Sequence, residues 1–300
     1  MSTQSKKFTN IRIVDLLELI SKGAKQDKIT MKSQFTIIEL LIIVSLFAIL
    51  TTLTSPAIKS VIDKTDTVIC MGQLNDLYIL NSMYQNDNDD YYIIPGWDSY
   101  RPSLTKQVKK HEMFKVTWDD ILSEYDGRNL DHASQKNQAF AASKHASQLP
   151  FALLYVCPAD KLPREFPNVE QPLARTYSLN ACGVKNRGQL DEYSEYGIGS
   201  GINSVRMSDI EDIQGTILMN EASHKYNSLG STFHHKNGWP NFYYDSYEKS
   251  GFMGLHETNF NTFLITDGHT ELLLIGETAE GIDSASSYEV GGMWSRQAGD

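Results

Sequence analysis

The apolar residues of the chain are concentrated in one run near its N-terminus. Residues 35–58 are apolar or carry small hydroxyl groups, and they include a single charged side chain, Glu39. A run of about 20 predominantly apolar residues crosses the hydrocarbon core of a bilayer as a helix, so this one predicts a transmembrane helix. A carboxylate inside such a segment is costly unless it is paired, and we therefore expect Glu39 to have a functional partner.

Beyond Pro56 the apolar residues recur in steps of three and four, which predicts an amphipathic continuation of the helix over residues 59–85. The Asn/Asp cluster at residues 86–90 is expected to end the helix. Structural calcium is an alternative for this cluster, but it lacks the glycine and the glutamate of a helix-loop-helix calcium site, so a solvated loop is the better interpretation. The apolar positions of the helix are Val61, Val68, Ile69, Leu77, Leu80 and Tyr84.

Short apolar runs in the remaining sequence predict β-strands at residues 151–157, 216–219, 261–265 and 269–275. The polar stretch 131–148 is expected to be helix or loop. Asp267-Gly268, between the last two runs, predicts a hairpin with a two-residue type I′ turn, in which both residues take positive φ. The predicted fold is α+β: a long N-terminal helix packed through its second half on an antiparallel sheet of short strands with long loops, within a globular domain over residues 86–300.

The distribution of charge along the chain predicts its orientation across the membrane. The net charge is −10, which argues against a nucleic-acid partner, yet residues 1–34 alone carry +4. Because basic flanks stay on the cytoplasmic side, residues 1–34 are expected to form a cytoplasmic leader. Residues 35–58 would then cross the inner membrane once, and the acidic domain would lie in the periplasm.

The segment Phe-Thr-Ile-Ile-Glu-Leu-Leu at residues 35–41, with Pro56 as the twenty-second residue counted from Phe35, resembles the signal of type IV pilins and type II secretion pseudopilins. The resemblance implies that a prepilin peptidase cuts between Gln34 and Phe35 and methylates the new amine. Most members of that family have glycine where this chain has Gln34. The family's glutamate neutralises the terminal amine of a neighbouring subunit, and Glu39 occupies that position.

A second resemblance covers three later stretches, and it is to pilin-like proteins abundant in planctomycetes and lentisphaeres. Those proteins carry a C-terminal His-x9-Asp-Gly element, whereas ten residues separate His256 from Asp267 here. The matching elements are Cys70-x-x-Gln-Leu, Cys157-Pro-x-Asp, Tyr177-Ser-Leu-Asn180, and His256 with Asp267-Gly268-His269.

The chain has three cysteines, and outside the cytoplasm two of them can form a disulfide. We expect Cys157 to pair with Cys182 and Cys70 to be left over. His256, Asp267 and His269, with His234 and His235, are candidate metal ligands. The favoured interpretation is simpler: Asp267 belongs to the turn, His256 to a hydrogen bond nearby, and no metal or other cofactor is bound.

No catalytic or phosphate-binding motif is present in the sequence, so we do not expect an enzyme. The expected function is that of a structural pseudopilin-like subunit. Its partners would be other pilin-like subunits, the prepilin peptidase, an inner-membrane assembly platform and membrane lipid. Two alternatives remain open: a membrane-anchored module that binds glycan or protein through the aromatic residues at 239–247, and a periplasmic metalloenzyme built on the histidines.

Overall fold

A computed structural model describes residues 36–96, 116–180, 197–200, 203–231, 236–237, 254–256, 260–279 and 292–296. The chain divides into two compact units, Met1–Pro56 and Ala57–Asp300. In the described residues the architecture is α+β, with a long apolar N-terminal helix and an antiparallel sheet of four strands that a fifth, two-residue strand extends in parallel.

The first helix, α1 (Ile37–Asp87), continues through Pro56. Among the described residues it is the one helix long and apolar enough to cross a membrane, judged by length and composition. The large apolar side chains of its first part are exposed, for example Ile37 and Leu41. Its hydroxyl side chains bond to carbonyl oxygens of the preceding turn, as Ser45 does to Ile42 and Thr51 to Phe47, so they need no partner from solvent.

The part of α1 inside the second unit buries a narrow stripe. Its buried residues are spaced at helical intervals, so they lie on one face: Cys70, Leu74, Leu77, Asn81 and Gln85. The predicted face is therefore partly wrong. Val61 and Val68 lie about half a turn away from Cys70 and are exposed, as is Ile69, whereas Leu77 is buried and Leu80 and Tyr84 pack against the core.

The helix ends two residues later than predicted. Asp89 and Asp90 adopt positive φ, and the Asp90 N–H donates to the Gln85 carbonyl oxygen at 3.0 Å, which satisfies an otherwise unpaired carbonyl at the helix end. Buried Asn81 accepts from the Ile93 N–H at 3.0 Å and so fixes the returning chain against α1.

The main sheet has the order β5-β1-β4-β6-β7. Strands β1, β4, β6 and β7 pair antiparallel, and the two-residue β5 adds to β1 in parallel, which the sequence did not predict. A separate two-stranded sheet joins β2 and β3. The strands are β1 (Tyr177–Asn180), β2 (Gly199–Ser200), β3 (Asn203–Ser204), β4 (Ile217–Glu221), β5 (Lys236–Asn237), β6 (Phe260–Ile265) and β7 (Thr270–Leu274).

The β6–β7 hairpin is confirmed, but its turn is not type I′. The loop has three residues, 266–268, because Leu264 pairs with Thr270 and the Ile265 N–H donates to the His269 carbonyl oxygen at 2.9 Å. Only Gly268 takes positive φ, at 99°, which matches a tight turn followed by a glycine bulge. Glycine is also required by space, since a Cβ there would collide with the Tyr78 ring.

The connection between α1 and the sheet is built from short helices: α2 (Trp118–Ile121), α3 (His132–Lys136), α4 (Gln138–Ala142) and α5 (Leu149–Ala152). Asp131 and Asn137 cap α3 and α4, as the polar composition of that stretch allowed. The strand predicted at 151–157 is wrong. Pro150 lies in the first turn of α5, and a 3-10 turn, Leu153–Tyr155, follows it, because proline at a helix start favours helix and the apolar run has no alternation.

Single 3-10 turns at Leu122–Glu124, Met207–Asp209, Glu277–Ala279 and Gly292–Trp294 complete the described elements. The buried stripe of α1 packs on Tyr177 and Leu179 of β1 and Leu218 of β4 in the larger apolar cluster. A second, smaller cluster of buried apolar residues includes Phe263 and Trp294. The sheet therefore buries the stripe of α1 that begins at Cys70.

Candidate functional sites

The first candidate site is the start of α1. Thr36 precedes the helix and Glu39 is its third residue, and the two form a reciprocal capping arrangement. Glu39 Oε2 accepts from the Thr36 N–H at 2.9 Å and from Thr36 Oγ1 at 3.0 Å, while Thr36 Oγ1 accepts from the Glu39 N–H at 3.2 Å. Glu39 therefore has a local partner that the sequence analysis did not foresee. Gln34 and Phe35 lie outside the described residues.

The second candidate site is a disulfide that joins α1 to the segment after α5. It links Cys70 with Cys157, and both residues are fully buried. The predicted pairing of Cys157 with Cys182 is therefore wrong, and Cys182 lies outside the described residues. Cys70 lies in the predicted helix 59–85, and the sequence does not show that its side of this helix is the buried one. Sequence spacing alone carries no such information.

His256 and Glu221 stand beside this disulfide. His256 Nε2 is 3.5 Å from Cys157 Sγ and 2.9 Å from Glu221 Oε1, and Glu221 Oε2 accepts from the Thr262 N–H at 2.8 Å. Both side chains are about 1 % exposed or less. Glu221 is the last residue of β4. The backbone of His256 is held by an isolated antiparallel β-bridge to Phe260.

Thr67 contacts the other ring nitrogen of His256. Thr67 Oγ1 lies 3.0 Å from His256 Nδ1 and 3.0 Å from the Asp63 carbonyl oxygen. His256 therefore has a hydrogen-bonding partner at each ring nitrogen, Thr67 at Nδ1 and Glu221 at Nε2.

Asp267 and His269 form a separate group at the hairpin. His269 Nδ1 is 2.5 Å from Asp267 Oδ1, and Nε2 is 3.1 Å from Glu271 Oε1. Within the described part of the chain, the single group of three or more converging metal-capable side chains is Cys70, Cys157, Glu221 and His256. The alternative metal site of His256, Asp267 and His269 is thus not assembled. His256 makes hydrogen bonds, but to Glu221 and Thr67 and not at the Asp267 turn. His234 and His235, like the aromatic residues at 239–247, lie outside the described residues.

The contacts of His269 predict a pH dependence of stability. Burial alone lowers its pKa, but the hydrogen bonds and charges of Asp267 and Glu271 raise it, and the net shift of the pKa is upward. A histidine with a higher pKa in the folded chain stabilises the fold fully below its unfolded pKa of about 6.5. That contribution is lost as the pH rises through the folded value.

We therefore expect His269→Gln to lower the free energy of unfolding in mildly acidic buffer and to have no effect at alkaline pH. The effect is small because the His269 side chain is 40 % exposed. Urea unfolding of the detergent-solubilised chain across a pH series measures it, with His132→Gln in α3 as the matched control. An equal difference at every pH would contradict the assignment.

Buried ion pairs hold the loops around the sheet, and the sequence analysis missed them. Arg175 pairs with Asp119, and Arg164 with Asp160, with all four side chains buried. The neighbouring Asp120 has a pKa well above its ordinary value, because burial and the charge of Asp119 both oppose its ionisation. Polar and apolar residues alternate around position 175, as they do in many strands. This pattern does not predict which of the charged residues form buried ion pairs.

Asp160 explains one of the matching sequence elements. Its carboxylate accepts from Thr176 Oγ1 at 2.7 Å and from Ser223 Oγ at 2.8 Å, and Thr176 Oγ1 accepts from the Cys157 N–H at 3.1 Å. The Cys-Pro-x-Asp element is therefore structural in this chain, since it ties the disulfide to Thr176, just before β1, and to Ser223, after β4.

Neither protein-family models, nor curated proteins, nor solved structures give a match to this chain.

Proposed function

We propose that this protein is a pseudopilin-like structural subunit of a type II secretion or type IV pilus-like fibre. It would be exported with its N-terminus in the cytoplasm, cut before Phe35 by a prepilin peptidase, and added to a fibre at the inner membrane. The observation that carries the proposal is the combination, at one helix start, of a single carboxylate, Glu39, with an exposed apolar surface.

Two features of the described structure support this role. The exposed apolar side chains of α1 need lipid or neighbouring helices as their surroundings, because a surface of this size is unfavourable in water. The buried disulfide fits a domain that matures in an oxidising compartment such as the periplasm. Both features agree with a membrane-inserted subunit whose larger unit is exported.

The mechanism rests on the electrostatics of lipid. After cleavage, the amine of Phe35 carries a positive charge and Glu39 of an adjacent subunit a negative one, and each is unfavourable alone in hydrocarbon. Pairing them removes two isolated charges and sets the axial stagger of neighbouring helices. The capping contact with Thr36 uses Glu39 Oε2, so the carboxylate keeps further acceptor positions for an amine.

Glu39→Gln tests this mechanism. Glutamine keeps the acceptor that the capping box needs but carries no charge. We expect the variant to be cut and to form the Cys70–Cys157 disulfide, yet to lose incorporation into fibres, measured by shearing and by cysteine cross-linking between subunits. The matched control is Thr36→Val, which removes the side-chain capping contacts and keeps the charge, and it should assemble.

Normal assembly of Glu39→Gln, together with failure of Thr36→Val, would mean that Glu39 acts only as a helix cap and would overturn the mechanism. Processing is tested separately by mass spectrometry of the N-terminus in cells that contain the peptidase. A peptide that starts at N-methylated Phe35 is the expected result, and an intact leader in assembled fibres would contradict it.

The second candidate is a membrane-anchored binding module that does not polymerise. Two observations favour it: Gln34 stands where most pilins have glycine, and Glu39 already has an intrachain partner in Thr36. In that case the leader would remain uncut, Glu39→Gln would have no effect on localisation, and the detergent-solubilised chain would bind glycan on an array.

A further inference from the structure

The disulfide cluster combines four side chains that zinc commonly binds. The ligand atoms of Cys70, Cys157, Glu221 and His256 all lie within 4.8 Å of one another, and all four residues are buried. In the oxidised chain the two sulfurs are bonded to each other. The geometry points to a redox-gated metal site: when the Cys70–Cys157 bond is reduced, the two thiolates, Glu221 and His256 bind one divalent zinc ion.

One of the distances between the proposed ligand atoms already fits a tetrahedral zinc site. With Zn–S bonds of about 2.3 Å and Zn–N bonds of about 2.0–2.1 Å, sulfur and nitrogen ligands stand about 3.6 Å apart. Cys157 Sγ and His256 Nε2 are 3.5 Å apart. His256 Nε2 and Glu221 Oε1 are 2.9 Å apart and must separate by about 0.5 Å for the same geometry. The largest change is at the two sulfurs, which reduction of their bond releases.

The surroundings of His256 are those of a metal ligand. In the zinc-bound chain Thr67 Oγ1 would accept the proton of Nδ1, which leaves the lone pair of Nε2 facing Glu221 and Cys157. An outer hydrogen bond of this kind is how proteins fix the tautomer of a ligating imidazole. The Thr262 N–H fixes Glu221 in the same way. His256 Nε2, a Glu221 carboxylate oxygen and the two sulfurs thus surround the position that the cation would take.

The steps balance with a dithiol as the reductant. It supplies two electrons and two protons, the S–S bond breaks, Cys70 and Cys157 become thiols, and the reductant becomes its own disulfide. Zinc then displaces the two thiol protons, and His256 binds through Nε2 as a neutral imidazole whose proton is on Nδ1. The products are the zinc-bound chain and two protons, so binding strengthens as the pH rises.

The test uses the full chain in detergent with Cys182→Ser, which removes the third thiol. The oxidised protein should retain no zinc after passage over a desalting column. The protein reduced anaerobically with dithiothreitol and freed of reductant should retain a single equivalent. X-ray absorption at the zinc edge should show two sulfur and two nitrogen or oxygen neighbours, and cobalt in place of zinc should show the intense visible bands of tetrahedral thiolate coordination.

Substitutions then assign the ligands. Glu221→Gln and His256→Gln should each weaken zinc binding by the reduced chain by at least about 10-fold, and Thr67→Val should weaken it by about 10-fold to 100-fold while leaving the cobalt thiolate bands in place. Formation of the Cys70–Cys157 disulfide in each oxidised variant is the check that it folds. His269→Gln is the matched control, because His269 belongs to the hairpin group, and it should bind zinc as the parent does.

Three results would overturn the inference. The first is a reduced parent chain that retains no zinc, and this measurement needs no substitution in the cluster. The second is zinc bound equally by the oxidised and reduced forms. The third is a reduced chain whose zinc neighbours are unchanged by Glu221→Gln and His256→Gln.

Discussion

Replacing Cys70 by serine is expected to lower the free energy of unfolding of the Ala57–Asp300 unit by about 4 kcal/mol. The disulfide closes a loop with a sequence separation of 87 residues. Restricting a loop of that length in the unfolded chain accounts for about 4–5 kcal/mol by the loop-closure relation, and measured values tend to be somewhat smaller. Cys157→Ser should have the same effect, because either substitution opens the same loop.

Urea unfolding of the detergent-solubilised chain, with a chelator present to exclude metal binding, measures this difference. Cys182→Ser is the matched control, and it should leave both the crosslink and the stability unchanged. A thiol reductant should bring the parent chain to the stability of Cys70→Ser. If Cys182→Ser is the destabilising change and Cys70→Ser is neutral, the pairing of Cys70 with Cys157 is incorrect. Peptide mapping without reductant decides between the two pairings directly.

The second large effect is expected at the buried ion pair of Arg175 and Asp119. Besides Asp119, the Arg175 guanidinium donates to Asn227 Oδ1 at 2.8 Å and to the Ser231 carbonyl oxygen at 2.8 Å. Arg175→Met keeps much of the side-chain volume but leaves the Asp119 carboxylate buried without its cation. Breaking a buried pair in this way costs about 3–5 kcal/mol, so the variant is expected to unfold at much lower urea concentration.

The matched control for this prediction is Lys225→Met, because Lys225 pairs with Glu165 at the surface, with both side chains about half exposed. An exposed pair contributes little, so this variant should unfold with the parent. Asp119→Leu combined with Arg175→Met should recover part of the lost stability, since no isolated charge then remains. A neutral effect of Arg175→Met alone would show that the pair contributes nothing to the fold.

The long helix and the β6–β7 hairpin were predictable from sequence because each depends on local patterns. An apolar run of membrane-spanning length forms a helix in a bilayer, because its backbone groups find hydrogen-bonding partners only within the segment, and Asp-Gly between two apolar runs favours a hairpin turn. The turn type was not predictable, because the register of Leu264 with Thr270 decides the loop length. The strand prediction for residues 151–157 is wrong for a related reason. An apolar run without alternation is compatible with both strand and helix, and Pro150 favours the helix.

One of the candidate sites was likewise predictable from sequence, and the other depends on tertiary packing. Glu39 could be found from its charge within an apolar run, since that contrast is visible in sequence. The cluster around His256 could not, because Cys70, Cys157 and Glu221 come from α1, the segment after α5 and β4, and only the packing of α1 on the sheet brings them together. Even Thr67, which orients His256, looks like one of several threonines in the helix until its distance to Nδ1 is known.

The disulfide also determines how the protein responds to mechanical load. A pull on the chain on the N-terminal side of Cys70 passes through the covalent bond to Cys157 and bypasses the residues between them. Those residues could extend to roughly 300 Å if they were free. While the bond is intact the residues between Cys70 and Cys157 carry no load and cannot be extended. Exchange of the disulfide with a thiol would place them under the load and allow the stretched subunit to lengthen by that amount.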